Sequence, residues 1–365
     1  MNRWLLIFLI VLTGLRVFLG SQMELSSDEA YYYQWSQRMD WAYFSKGPGV
    51  AAAIHLGTAL FGPTELGVRI LSPLLGFGTS LLLYALARRL YGKEVALWTV
   101  LMMNVTPIFQ AGSMVMTIDA LSIFFWAAAL MTFRLALEQE GRIGWWLATG
   151  GLMALGFLSK YTNAMQLLSI VLVLAWTPEG RSAFRRAGFW AMLAVFLLGM
   201  LPPVIWNAQH GWITVDHLRH RGSLDSPFGF HPGELLGFIG LHFGVYSPLI
   251  FAGMLVALWC GCRVLAHDEK QRFLVLFALP LLVLYCALSI KKCGEVNWTA
   301  PAFVSLAILT VAYWQGRLQE GAARWVPRAV AIALGLSLTM SLLTVNPEGL
   351  RRLGLRWGYD RDPTG

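Results

Sequence analysis

Charge is scarce in this chain. Asp, Glu, Lys and Arg make up only 13% of its 365 residues, where an ordinary soluble domain carries about 25%. Hydrophobic residues make up 57% and fall in long blocks, such as 71–87 and 189–206, each close to the ~20 residues that cross a bilayer. A soluble fold of this length is therefore excluded, and the chain reads as an all-α polytopic membrane protein. Cysteine is also scarce. Of Cys260, Cys262, Cys286 and Cys293 only the last falls in an external loop, so neither a disulfide framework nor a zinc spacing is expected. No glycine-rich strand-to-helix loop is present, which argues against a nucleotide site. The net charge of +8 does not point to nucleic acid, because the basic residues sit in short loops between apolar segments.

The apolar blocks give about eleven spans: 4–20, 67–87, 94–109, 118–137, 144–158, 162–177, 188–206, 235–260, 273–290, 299–315 and 327–345. The first is read as a retained helix rather than a cleaved signal, because the cleavage pattern after it is poor and Arg16 interrupts it. Segment 50–61 is too short to span and is expected as an interfacial helix. Residues 1–345 form one transmembrane domain on this reading, with external loops at 21–66 and 207–234 and a short polar external tail at 346–365. Lys and Arg set the orientation. Fifteen lie in one set of loops and eight in the other, tail excluded, so the first set is cytoplasmic.

The cytoplasmic loops hold little but topology signals. The external loops mix acids, histidines, tryptophans and cations. Asp28 and Glu29 are adjacent acids soon after the first span, in "SSDEAYYYQW". Adjacent helical positions point about 100° apart, so one acid faces a cavity while the other caps or pairs. Ser26 or Ser27 is the expected N-cap of a helix over 28–38. Alone, the stretch also reads as an acidic first turn beside an aromatic belt of Tyr31, Tyr32, Tyr33, Trp35 and Trp41. Lys46 in "YFSKGPG" either snorkels to headgroups or holds a phosphate. Asp119 opens a span with no other charge nearby, which points to function or pairing, with N-capping as the simpler account. Lys160 lies between two short spans and reads equally as a solvated cation. The stretch 207–234 carries His210, Asp216, His217, Arg219, His220, Arg221, Asp225, His231 and Glu234; a polar, solvated loop explains most of it, and a cationic surface toward an anionic substrate accounts for the rest better than a metal site does. "SIKKCGEVNWTAP" adds Lys291, Lys292, Glu295, Asn297 and Trp298 on the same side, and alone reads as interfacial anchoring.

In this order the motifs "DEAYY", "YFSKGPGVAAAIHLGTALFG", "ELGVRILSPLLG", "TIDALSIFFWAAAL", "GLMALGFLSKYTNAMQLL", "WNAQHGWITVDH" and "VNWTAPAF" resemble the bacterial branch of the dolichyl-phosphate-mannose protein mannosyltransferase superfamily. These are GT-C glycosyltransferases related to lipid A aminoarabinose transferases. The resemblance implies a GT-C fold with two interfacial helices in the first external loop. It implies inverting transfer of a sugar from a polyprenyl-phosphate donor to a hydroxyl of a lipid, glycan or protein, at the outer face of a bacterial inner membrane. The alternative is a polytopic membrane transporter or lipid-linked sugar flippase, which would place charges near the midplane, whereas the acids here cluster at one face. Asp28 then falls on the general-base position, with Glu29 and Asp119 as further acids of the site. Lys46, Lys160, Arg219 and Arg221 are the expected phosphate-binding cations, and Tyr32, Arg69, Tyr161, His217 and Asn297 the expected substrate contacts. Some relatives carry an acid before the lysine, associated with a divalent metal. Ser45 stands there in this chain, so no metal ligand is carried over, and a divalent metal stays an open cofactor. Relatives also continue past this length, so an acceptor-binding C-terminal part is expected to be absent or shortened.

Overall fold

The computed structural model describes residues 3–345 except 140, 226, 228 and 322–324; the tail 346–365 lies outside the described residues. Its helices are α1 (Arg3–Ser21), α2 (Ser27–Ser36), α3 (Gly49–Phe61), α4 (Glu65–Arg69), α5 (Leu71–Tyr91), α6 (Lys93–Val105), α7 (Pro107–Gly112), α8 (Ile118–Glu138), α9 (Ile143–Ser159), α10 (Met165–Trp176), α11 (Pro178–Ser182), α12 (Ala187–Gln209), α13 (Ile213–Arg221), α14 (Pro232–Val245), α15 (Pro248–Arg263), α16 (Glu269–Ser289), α17 (Ala302–Gln319) and α18 (Val326–Val345). Short 3₁₀ turns include Tyr161–Ala164 and Val296–Thr299. No strand occurs among the described residues.

Each of the eleven expected segments contains helix, but the expected count is not reproduced. Among the described residues six helices are long and apolar enough to cross a membrane, or seven if the bent pair α14–α15 is one span. Two departures follow from proline. Thr106 precedes Pro107 and is driven into an extended conformation, which splits 94–109 into α6 and α7. Ser247 precedes Pro248 with φ 69°, and 235–260 turns through 117° there. Pro202 and Pro203, by contrast, sit inside α12 without ending it.

The main core joins α5, α6, α8, α9, α12 and α14–α17 around Trp126, Phe133, Phe273, Phe277 and Phe303, all fully buried. Central and peripheral helices differ sharply: 61% of the apolar window of α8 is buried in the protein, but 22% of α1 and 17% of α18. Trp4, Ile10, Val11 and Phe18 of α1 and Ile332 and Leu342 of α18 face outward. Burying such faces in lipid is what the bilayer demands of a chain whose backbone is already satisfied by helix. A second, smaller core forms where α2 and α3 lie on α8, from Tyr32, Val50, Ile54, Val68, Met116 and Ile118. The 3₁₀ turn Val296–Thr299 and the ends of α8 and α9 meet at that end of the bundle. Arg89 and Arg134 pair with Glu138, and Arg134 with Glu269, at the other.

Candidate active site

The segment between α1 and α5 is held by a buried ion pair. Ser26 N-caps α2, and its hydroxyl accepts from the Glu29 amide while Glu29 Oε2 accepts from the Ser26 amide at 3.0 Å. This capping box turns Glu29 inward, and the 100° step per residue leaves Asp28 facing out. Glu29 is fully buried and receives Arg69 Nε at 2.7 Å and Nη2 at 2.5 Å. The same guanidinium donates to the carbonyls of Gly20 (2.7 Å), Met23 (2.6 Å) and Glu24 (2.6 Å), and Glu29 Oε1 also accepts from the Met116 amide at 2.9 Å. The end of α1, the start of α2, α4 and the segment entering α8 are thus tied at one point. Glu29, expected as a further acid of the site, and Arg69, expected as a substrate contact, are engaged with each other and with the backbone at every polar atom.

Lys46 is brought to the cluster by glycine. The Tyr43 amide donates to the Lys46 carbonyl at 2.9 Å and closes a tight loop. That loop rests on the end of α9: a Cβ at Gly47 would lie 2.2 Å from the Leu158 carbonyl oxygen, and one at Gly49 would lie 2.7 Å from Ser159 Oγ. Only glycine permits this approach, so Lys46 and Lys160 become neighbours. Gly47→Ala is expected to push the loop off α9, lower thermal stability by about 1–3 kcal/mol and reduce turnover by at least tenfold. Paired melting and activity measurements check this.

Asp119 and Lys160 form the floor. Thr117 caps α8 by accepting from the Asp119 amide at 3.2 Å, so the Asp119 carboxylate is not used as the cap. Its Oδ1 accepts from Lys160 Nζ at 2.7 Å and its Oδ2 from Asn297 Nδ2 at 2.8 Å. Lys160 Nζ also donates to the Asn297 carbonyl at 3.1 Å. An ammonium has three donors, so one remains for a ligand. With both oxygens engaged, Asp119 is a holder of Lys160 rather than a free base, which narrows its expected catalytic role.

The roof comes from α13 and the Val296–Thr299 turn. Thr214 Oγ1 donates to the Tyr43 carbonyl at 3.0 Å, and the His217 ring lies 4.7 Å from the Phe44 ring, which docks α13 on the first loop. Arg221 pairs with Glu295 and lies 5.8 Å above the Trp298 ring. Burial, with Lys46 and Arg221 nearby, lowers the His217 pKa and keeps the ring neutral. Arg219, expected as a phosphate-binding cation, is 59% exposed and lies 3.8 Å from Asp216. Tyr161 also falls outside the cluster, because its ring packs on Phe157 and its hydroxyl is buried without a hydrogen bond. Tyr32, one helical turn after Asp28, is packed in the small core, and burial followed by the charges of Asp28 and Asp119 raises its pKa.

Asp28 and Lys46 stand apart from these occupied groups. Neither side chain makes a hydrogen bond or ion pair among the described residues, yet Asp28 feels the charge of Lys46. Asp28 is open to solvent on its outer side, but the wall behind it removes water. That burial raises its pKa against the opposing pull of Lys46 and Arg221, while Glu295 and Asp119 add to the rise. Burial and then the charges of Arg221 and Lys160 lower the pKa of Lys46. Among the described residues no three His, Cys, Asp or Glu side chains converge as a metal-holding group. Lys46, Lys160 and Arg221 are the cations near Asp28 and one another.

Residues 45–206 match the family described as dolichyl-phosphate-mannose-protein mannosyltransferase. The lipid A galacturonosyltransferase RgtD of Rhizobium johnstonii is 30% identical over 330 residues, covering 88% of this chain and 67% of that protein. The chain belongs to this family of GT-C glycosyltransferases. The undecaprenyl phosphate-alpha-4-amino-4-deoxy-L-arabinose arabinosyl transferase of Edwardsiella ictaluri is 26% identical, over 88% of this chain and 62% of that one. The fold agrees: the crystal structure of ArnT from Cupriavidus metallidurans bound to undecaprenyl phosphate superposes with a TM-score of 0.69 at 18% identity, covering 96% of this chain and 72% of that chain. The apo oligosaccharyltransferase of Archaeoglobus fulgidus gives 0.60 at 13% identity, covering 94% of this chain and 56% of that chain.

Sequence reading named Glu295 only as part of the stretch 289–301, and missed Thr214 as the link to the first loop and Thr299 beneath the floor. A Thr in a polar loop carries no pattern of its own; only the folded contacts distinguish these from their neighbours.

Proposed function

We propose that the chain moves a sugar from a polyprenyl-phosphate donor to a hydroxyl acceptor, with inversion at the anomeric carbon, at the outer face of a bacterial inner membrane. The observation that carries this reading is the facing pair of unpartnered charges, Asp28 and Lys46, beside a third cation, Lys160, with one hydrogen to spare. A carboxylate without hydrogen bonds is placed to accept the proton of an acceptor hydroxyl. A cation without a counter-ion is placed to receive a phosphate. As the acceptor oxygen bonds to the anomeric carbon, its proton passes to Asp28. The carbon–oxygen bond to the phosphate breaks on the opposite face, and its electron pair stays on the phosphate oxygen. A phosphodiester monoanion becomes a phosphomonoester dianion, and Lys46, Lys160 and Arg221 stabilise the added charge. The apolar flanks keep the prenyl chain in lipid while its head enters the polar end.

The test is release of polyprenyl phosphate by the protein purified into lipid nanodiscs. Undecaprenyl-phosphate galacturonic acid, aminoarabinose and mannose are offered with envelope lipid and glycan extracts as acceptors. Release from one donor, dependent on acceptor, is the expected outcome. Absence of release from every donor by folded protein overturns the reading.

A further inference from the structure

His242 is a buried histidine that the proposed chemistry does not use. It lies on α14, 3% exposed, inside a cage of Phe238, Tyr246, Phe251 and Phe303 rings with centroids 4.6–5.8 Å away. An apolar side chain would suit that cage better, because a buried polar group costs stability unless it is hydrogen-bonded. Both imidazole nitrogens are bonded. Nδ1 lies 2.7 Å from the Phe238 carbonyl, which can only accept, so Nδ1 carries the proton. Nε2 then presents a lone pair to the Thr299 hydroxyl at 2.8 Å.

Thr299 ends the 3₁₀ turn Val296–Thr299. Two residues earlier, Asn297 holds both Asp119 and Lys160, and the intervening Trp298 lies under Arg221. The turn therefore carries three contacts to the site. A four-residue 3₁₀ turn is weak by itself. Its Thr299 hydroxyl is anchored from beneath by His242, and the Val296 carbonyl 3.0 Å away competes for the same hydrogen. We propose that His242 is a positioning residue for the sugar transfer: through Thr299 it fixes the height of the 296–299 turn, and through Asn297 it aims the Lys160 ammonium. The assignment of a rate effect rests on the transferase reading above; the aiming of Lys160 does not.

The experiment is a double-mutant cycle in nanodiscs with two readouts. The first is kcat and KM on the donor that the wild-type protein turns over. The second is the Kd for undecaprenyl phosphate itself, which needs no turnover. Thr299→Val and His242→Leu are expected to keep the wild-type melting temperature within a few degrees, to lower kcat by about tenfold and to weaken undecaprenyl phosphate by about fivefold. His242→Gln, which keeps an acceptor in reach of Thr299, is expected to restore most of both. In an Asn297→Ala background, Thr299→Val is expected to add nothing further, because the path runs through Asn297. Additive effects of Thr299→Val and Asn297→Ala, or wild-type values in folded His242→Leu, overturn the proposal. If wild-type protein binds undecaprenyl phosphate but turns over no donor, the transferase reading fails alone, and the binding cycle still decides the role of His242.

Discussion

Asp28→Asn is expected to lower kcat by about 10²–10⁴-fold while leaving the fold and the affinity for undecaprenyl phosphate unchanged. The amide keeps the shape of the carboxylate but cannot take a proton. Because the Asp28 side chain makes no hydrogen bond or ion pair among the described residues, its replacement breaks none there. The pH profile provides an independent check. A general base works deprotonated, and burial raises the Asp28 pKa. The acid limb of kcat/KM is therefore expected to lie above the ordinary carboxylate range. Lys46 must be charged to hold a phosphate, and burial with two neighbouring cations lowers its pKa, so the alkaline limb is expected below that of a free lysine. The bell narrows from both sides, and Asp28→Asn removes its acid limb from whatever activity remains. Asp119→Asn discriminates between the two acids. Both oxygens of Asp119 are engaged by Lys160 and Asn297, so its loss is expected to raise the donor KM more than it lowers kcat. An acid limb that persists in Asp28→Asn, or a larger kcat loss in Asp119→Asn, would move the base to Asp119.

The fold was legible in the sequence wherever a long apolar block states its own period and length. α8, α12 and α16 fall within a few residues of their expected bounds. It was less legible where chain direction changes inside an apolar block. In 94–109 and 235–260 the composition alone shows one span, and the prolines at 107 and 248 separate two helices at each. Pro202 and Pro203 show why proline alone is an unsafe signal, since α12 continues through them. At the site, residue type and position along the chain placed Asp28, Lys46, Asp119, Lys160, Arg221, His217 and Asn297 on the same side of the membrane, and they share one end of the folded bundle. What composition does not contain is which charges are already spent. Glu29 and Asp28 are adjacent acids in the same first turn, and only helical geometry sends one into a saturated pair and leaves the other open. Arg219 and Arg221 also differ in a way composition does not show: Arg221 pairs with Glu295 beside the site, whereas Arg219 lies exposed near Asp216. His242 was invisible because a single histidine in an apolar stretch has no partner in sequence; Thr299 is 57 residues away.

Breaking the Glu29–Arg69 pair is expected to be the largest single loss of stability in the molecule. Glu29→Ala leaves a buried guanidinium without its counter-ion, and Arg69→Ala leaves a buried carboxylate. Removing one partner of such a pair costs about 3–5 kcal/mol. The loss extends beyond the ion pair. Arg69 also satisfies three carbonyls at the end of α1, and Glu29 satisfies the amides of Ser26 and Met116. The melting temperature in nanodiscs is expected to fall by roughly 5–10 °C for either variant. The double variant Glu29→Leu/Arg69→Met separates charge from architecture. It removes both charges at once, so it is expected to cost less than the sum of the two Ala variants. It still leaves the carbonyls and amides without partners, so it is not expected to regain wild-type stability. Activity follows a different order. Asp28 leaves α2 one position before Glu29, and Asp119 leaves α8 three positions after Met116, so the clamp sets the distance between the open acid and the floor of the site. All three variants are therefore expected to lose turnover at temperatures where they remain folded. Normal turnover in a folded Glu29→Leu/Arg69→Met protein would reduce the clamp to a stability element with no hand in the geometry of the site.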